Sequence, residues 1–146
     1  MPYNCVVHPH HQLVYKKIWG RYTDNDSLKA HETWDVEFAR RPDLDYCCEL
    51  YDLTEVTEYL LSLQHMRSIA EHYFERSENE KKAGTYIRSR TAYVAPKPLA
   101  FGTGRVYSAL IDITGNDFCV FSSVEDALVW LDIDPAVKED IIISKS

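Results

Sequence analysis

Apolar residues in this chain recur at a spacing of two, then at a spacing of three to four, and the switch repeats along the sequence. That alternation constrains the fold more than any other feature. A spacing of two buries one face of a strand; a spacing of three to four buries one stripe of a helix. Strands alternating with helices form an α/β layer with a mostly parallel sheet, because each helix returns the chain to the end where the last strand began.

The segments are read in order. Tyr3–Val7 and Leu13–Trp19 are strands, with His8, Pro9, His10 and His11 turning between them, so they make a hairpin. Gly20 is expected to end the second strand. Thr23 with Asp26 three residues on resembles a capping box. Ala30, Trp34 and Phe38 then mark one face of a helix to about Arg40, which Pro42 stops. Asp45–Leu53 is an interior strand. Cys48, Leu50 and Asp52 share one of its faces; Cys47, Glu49, Tyr51 and Leu53 share the other, where Glu49 needs a reason.

Thr54–Glu58 is expected to be a connection. A long helix follows over Leu60–Lys82, with Leu63, Met66, Ile69, Ala70 and Tyr73 on its inner face and Gly84 as its stop. Thr85–Ala95 is a strand with Ala92 and Val94 buried, and Pro96 and Pro98 break it. Leu99–Ile113 reads as a helix and Asp117–Phe121 as a strand. Ser123 caps a last helix in which Ala127, Leu128 and Leu131 pack inward. The order is β-β-α-β-α-β-α-β-α: a mixed five-stranded sheet, opened by a hairpin and continued by βαβ units, with about four helices. One domain spans 1–146, its core at about 3–133 and a tail at 134–146.

Charge excludes some functions. Sixteen Lys and Arg against twenty-three Asp and Glu give a net charge of −7. Nucleic-acid binding needs phosphate neutralisation, so no nucleic-acid partner is expected; Arg88, Arg90 and Arg105 are too few to reverse the balance. Anionic membrane surfaces are disfavoured for the same reason. No window approaches the ~18 apolar residues that cross a bilayer. No basic segment followed by an apolar one opens the chain, so the expected compartment is the cytoplasm. Cys5, Cys47, Cys48 and Cys119 show neither a C-x-x-C pair nor a zinc spacing, and read as reduced thiols.

The catalytic motifs are missing. There is no G-x-S-x-G elbow, and no carboxylate spacing singles out an acid–base couple. Gly102, Thr103, Gly104 and Arg105 fail both phosphate-loop patterns. His8, His10 and His11 lie together on a turn but lack the partner spacing of a metal site. The chain is therefore read as a non-enzyme with no cofactor and no metal. Asp52 is placed at the carboxyl end of a central strand, where open α/β sheets bind ligands. It serves there as a polar anchor, or it caps a helix or pairs with Arg105.

The strand ending in Gly20 before a Thr-capped helix, the Leu50-Tyr51-Asp52-Leu53 strand, and three later stretches recur in one order. These stretches are Ala92–Ala95, Phe101-Gly102-Thr103-Gly104-Arg105-Val106-Tyr107, and Val120-Phe121 with Glu125–Leu131. Together they resemble the SpoIIAA-like family of small STAS-type domains. The resemblance implies a mixed five-stranded sheet, self-association as a dimer, and no established catalysis. It also implies a serine, after the central strand, that is phosphorylated as a switch. The matching stretch here, Asp52–Thr57, has no Asp-Ser pair; only Thr54, Thr57 and Ser62 stand near that position, beside Glu55 and Glu58.

Two functions are carried forward. The first is a non-catalytic interaction and regulatory module that takes a second copy or a regulatory protein on the Asp52–Ser62 connection and the adjoining helix. The second is a small-ligand or lipid-binding domain, motivated by three Trp, ten Tyr and five Phe. In that reading Trp34, Tyr73 and Tyr107 line a cavity, and Asp52 and Arg105 set its polarity toward an anionic headgroup. The binding residues named are Asp52, Thr54, Thr57, Arg105 and Tyr107.

Overall fold

The computed structural model describes residues 3–39, 47–84, 89–95, 102 and 117–142, and the side chains of these except 34–39, 47, 73 and 89. Strands β1 (Tyr3–His8) and β2 (Leu13–Thr23) form the opening hairpin. They are followed by α1 (Asp24–Ala39), β3 (Cys47–Leu60), α2 (Leu63–Ala83), β4 (Ser89–Val94), β5 (Asp117–Phe121), α3 (Val124–Trp130) and α4 (Lys138–Ile141). The five strands lie in one sheet in the order β1-β2-β3-β4-β5. The hairpin pair is antiparallel and the other three pairs are parallel. The α/β class, the mixed sheet and the central place of Leu50–Leu53 are as the sequence reads. The helix read over Leu99–Ile113 lies, Gly102 apart, outside the described residues.

The two faces of the sheet each carry a buried cluster. On one, Ile18, Tyr51, Leu53 and Tyr93 pack against Ala30 of α1 and Met66, Ile69 and Ala70 of α2. On the other, Leu13, Tyr15, Leu50, Ala92 and Val94 pack against Ala127 and Leu128 of α3 and Ile141 of α4. A sheet covered on both sides has no solvated face. That is why apolar residues of β2 and β3 fall on both faces.

The helix ends follow local chemistry. Thr23 and Asp26 bond reciprocally: the Thr23 amide and hydroxyl donate to Asp26 Oδ2, and the Asp26 amide donates to Thr23 Oγ1. Ser62 accepts from the His65 amide at the start of α2, and Ser123 from the Asp126 amide at the start of α3. Gly84 closes α2 in the left-handed conformation, φ 72°, which glycine adopts without a Cβ clash. The chain after Asp134 forms a 3-10 turn and α4, the one further turn that the weakly specified tail allowed.

Two boundaries differ from the sequence reading, and both affect the site. Gly20 does not end β2. The strand runs on to Thr23, with Gly20 at φ 70°. Nor is Thr54–Glu58 a connection: β3 continues to Leu60. The pairing of β2 with β3 slips twice, at Lys17/Trp19 and at Gly20/Arg21, and each slip inserts one extra residue on β3. The bulges re-aim the chain, so that Leu53, Val56 and Tyr59, three apart, all point to the α1–α2 face. A spacing of three hides a strand from a search for alternation.

Candidate functional site

The bulges set where the polar residues of β2 and β3 fall. Asp52 is not at a carboxyl end. It lies mid-strand, paired with Lys17 on one side and Val94 on the other, and is 1% exposed. Its Oδ2 accepts from the Tyr15 hydroxyl and from Lys17 Nζ at 3.2 Å. Its Oδ1 accepts from the Thr54 hydroxyl at 2.7 Å and the Thr54 amide at 3.0 Å. Burial alone would raise this carboxyl. The Thr54 hydroxyl, the Tyr15 hydroxyl, the Thr54 amide and the Lys17 charge outweigh it and hold the group below the usual carboxylate range. Lys17, 4% exposed, also reaches Glu55 at 3.1 Å and Thr54 Oγ1 at 3.3 Å.

A buried ion pair whose oxygens are all engaged fixes register; it does not present a free carboxylate to a ligand. The structure thus brings Asp52 and Thr54 together. Thr57 lies apart from them, exposed on the extension of β3. Arg105 and Tyr107 lie outside the described residues, as do the side chains of Trp34 and Tyr73.

The opposite face holds a polar group that sequence reading left unremarked. Lys16 is 1% exposed. Its Nζ donates to Glu49 at 3.1 Å and to the Tyr51 hydroxyl at 3.1 Å, and lies 4.6 Å from the centre of the Tyr51 ring. Glu49 therefore sits on an interior strand as the counter-ion of a buried lysine. Tyr51 stacks on Tyr93 with the rings 7° from parallel, and Tyr93 shares a 2.7 Å hydrogen bond with Tyr59. Tyr22, Ser27, His31, Tyr51, His65 and Tyr93 line a small, partly open pocket with Leu61, Met66 and Ile69 at its wall. Its accessible space of about 10 Å³ suits one water molecule. The signal for this cluster in the sequence was the tyrosine count; the pairing that gathers the rings was not visible.

A third feature lies where β3 ends. Ser62 donates its amide and its hydroxyl to Asp24 at 2.8 and 2.7 Å, which ties the first turn of α2 to the first turn of α1. His65 Nε2 bonds Ser27 Oγ at 2.9 Å across the same seam. Leu60, whose register partner is Thr23, is 44% exposed; Leu63 beside Ser62 is 46% exposed, and Leu28, one helical turn from Asp24, is 47% exposed. Three leucines thus stand in solvent at one rigid end. Arg21 and Glu58 face each other there at 3.6 Å, both exposed.

Among the described residues no group of three His, Cys, Asp or Glu gathers as metal ligands, and no helix is long and apolar enough to cross a membrane. Cys48 is buried, and Cys5 and Cys119 are half-buried; none of the three is in a disulfide.

No family model matches this chain, and no curated protein does. Among solved structures it is similar to an uncharacterised protein of the DUF3478 family with a SpoIIAA-like fold from Shewanella loihica PV-4. The identity is 21%, over 82% of this chain and 83% of that chain, with a TM-score of 0.46.

Proposed function

We propose that this chain is a non-catalytic interaction module whose working face is the end formed by the β3 extension and the first turns of α1 and α2. The observation that carries the reading is the exposure of Leu28, Leu60 and Leu63 on a base that the Asp24–Ser62 and Ser27–His65 bonds hold fixed. Isolated exposed leucines are ordinary, but three near one end of the sheet offer apolar area that association would cover. The partner is a second copy of this chain. A two-fold interface needs a surface that carries its own complement. Arg21 and Glu58 side by side supply it, since the base of one copy meets the acid of the other. The anionic-ligand reading at Asp52 is weaker, because that carboxylate spends its oxygens on Tyr15, Lys17 and Thr54.

Light scattering at tens of micromolar protein tests this. The expected result is a dimer mass for the natural chain and a monomer mass for Leu60→Lys and Leu63→Lys, since a buried unpaired charge opposes association. A monomer for the natural chain overturns the proposal. A dimer that survives both substitutions overturns the assignment of the face.

A further inference from the structure

After α3 the chain folds back over the sheet. The Ile133 amide donates to the Leu128 carbonyl at 2.9 Å, and Asp134 caps the 3-10 turn by accepting from the Ala136 amide at 2.9 Å. α4 then reaches the hairpin end. Ile141 is 0% exposed in the cluster that holds Leu13 and Tyr15, with Val137 and Ile142 half-buried against it. Beyond that apolar seat, α4 is tied to α3 by the ion pair of Lys138 with Glu125, both partly in solvent, and such a pair holds weakly.

His8, the last residue of β1, lies under this segment. Its register partner is Leu13, so the two side chains share the face that α4 covers. The Ile141 backbone lies against the ring. His8 Nε2 is buried and has no hydrogen-bond partner among the described residues. A ring nitrogen in that state costs free energy for as long as it is kept from water. The seated segment thus carries a penalty that lifting it relieves.

The surroundings oppose a charge on this ring. From the turn after β1, His11 acts on it with the same sign, and His10 packs edge-on against His11. From β2 the facing residue, Leu13, is apolar. From α4, Lys138 is engaged with Glu125, and Glu139 and Asp140 are exposed. Burial is the main cause that holds His8 below the ordinary 6.5; the Ile141 backbone works against it and His11 adds to it.

We infer that residues 134–142 form a detachable strap: it seats on the neutral His8 ring, and a proton on that ring lifts it from the hairpin end while the five strands stay paired. The opening is local, because Ala127 and Leu128 of α3 stay over Leu50, Ala92 and Val94. The surface uncovered at Leu13 is apolar, so the strap turns a change of pH into an exposed patch. None of this depends on the association reading.

Methyl and ring NMR on the full chain, from pH about 7.5 to about 5, tests the strap. The His8 ring is expected to titrate below 6.5, and the Ile141 methyl signals to move with the same midpoint toward those of a solvated isoleucine. The open population is expected to grow about tenfold for each unit between that midpoint and 6.5. Amide signals of Leu13–Ile18 and Leu50–Leu53 are expected to stay in place. His8→Phe, which fills the seat without a ring nitrogen, is expected to abolish the response. Ile141 methyls that hold still while His8 titrates overturn the strap, as does loss of α4 and strands together. A full response in His8→Phe overturns the role of His8. Should that variant not fold, Ile141→Ala answers instead: it loosens the seat and is expected to bring the His8 midpoint toward 6.5, and a midpoint left where it was refutes the strap.

Discussion

Lys16 and Lys17 are neighbours in the chain and lie buried on opposite faces of one sheet, each ion-paired with a carboxylate of β3: Lys16 with Glu49 and Lys17 with Asp52. The two pairs lock β2 to β3 from both sides. A slip of one residue would turn each ammonium onto the face where its acid is not. This is a use of buried charge to specify register, where the net gain in stability is small but removal of one partner is costly.

Lys17→Met is therefore expected to destabilise the chain by about 3–5 kcal/mol, because it strands Asp52 without its cation. Lys17→Met combined with Asp52→Leu is expected to recover much of that loss. Denaturant midpoints of the two single variants and the double variant close the cycle. Additive losses would show that the residues do not act as a pair.

Acid sensitivity follows from Asp52. Its native carboxyl titrates below the ordinary 3.8, so as pH falls the unfolded chain takes up its proton first. The stabilisation is complete above the unfolded value and drains away as pH drops through the lower native one. Tyr15→Phe removes one of the bonds that hold the carboxyl down, so the native carboxyl is expected to titrate at higher pH and the acid-dependent loss to be smaller. Carbon-detected NMR of the Asp52 carboxyl in both chains measures the change. An unmoved titration would mean that the Tyr15 bond is not felt.

Alkali acts through the buried tyrosines, Tyr59 among them together with Tyr22, whose hydroxyl burial also raises. Burial raises the Tyr59 hydroxyl from 10.0 to about 12, and the bond to Tyr93 lowers it only in part. Above the unfolded value the unfolded chain loses this proton while the native chain keeps it, so stability falls as pH climbs from 10 toward about 12. Tyr59→Phe is expected to move alkaline unfolding to higher pH, followed by tyrosinate absorbance. At neutral pH it is expected to cost about 1 kcal/mol, by leaving the Tyr93 hydroxyl short of a partner. Alkaline unfolding that does not move would dismiss Tyr59 as the trigger.

Gly20 tests the bulge. Nothing lies within 4 Å of a Cβ built there, so the cost of Gly20→Ala is conformational alone, at φ 70°. A loss of about 1 kcal/mol is expected, read as a drop of roughly 2–4 °C in the melting midpoint. Asn, which tolerates this conformation better, is expected to cost less. An alanine variant as stable as the natural chain would mean that Gly20 is not left-handed in solution.

Signals confined to a few residues were legible. The Thr23–Asp26 box, the Ser123 cap, the Gly84 stop and the Pro9 turn each complete their bonds within three or four positions. What was missed has longer reach. Lys16 finds Glu49 33 residues away, and Lys17 finds Asp52 35 residues away. In the sequence the Lys16–Lys17 pair looks like a polar break in a strand, and Asp52 looks like the strand's end.

The amino-acid order alone determined the α/β class, the opening hairpin and the places where helices begin and stop, because periodicity and capping are written into neighbouring residues. Only the tertiary structure decided how far β3 runs, that Asp52 is an internal tie, and that Leu28, Leu60 and Leu63 are left exposed near one end of the sheet. Bulges and strand register bring together groups that the chain keeps far apart, and no local pattern encodes the slip of one strand along another.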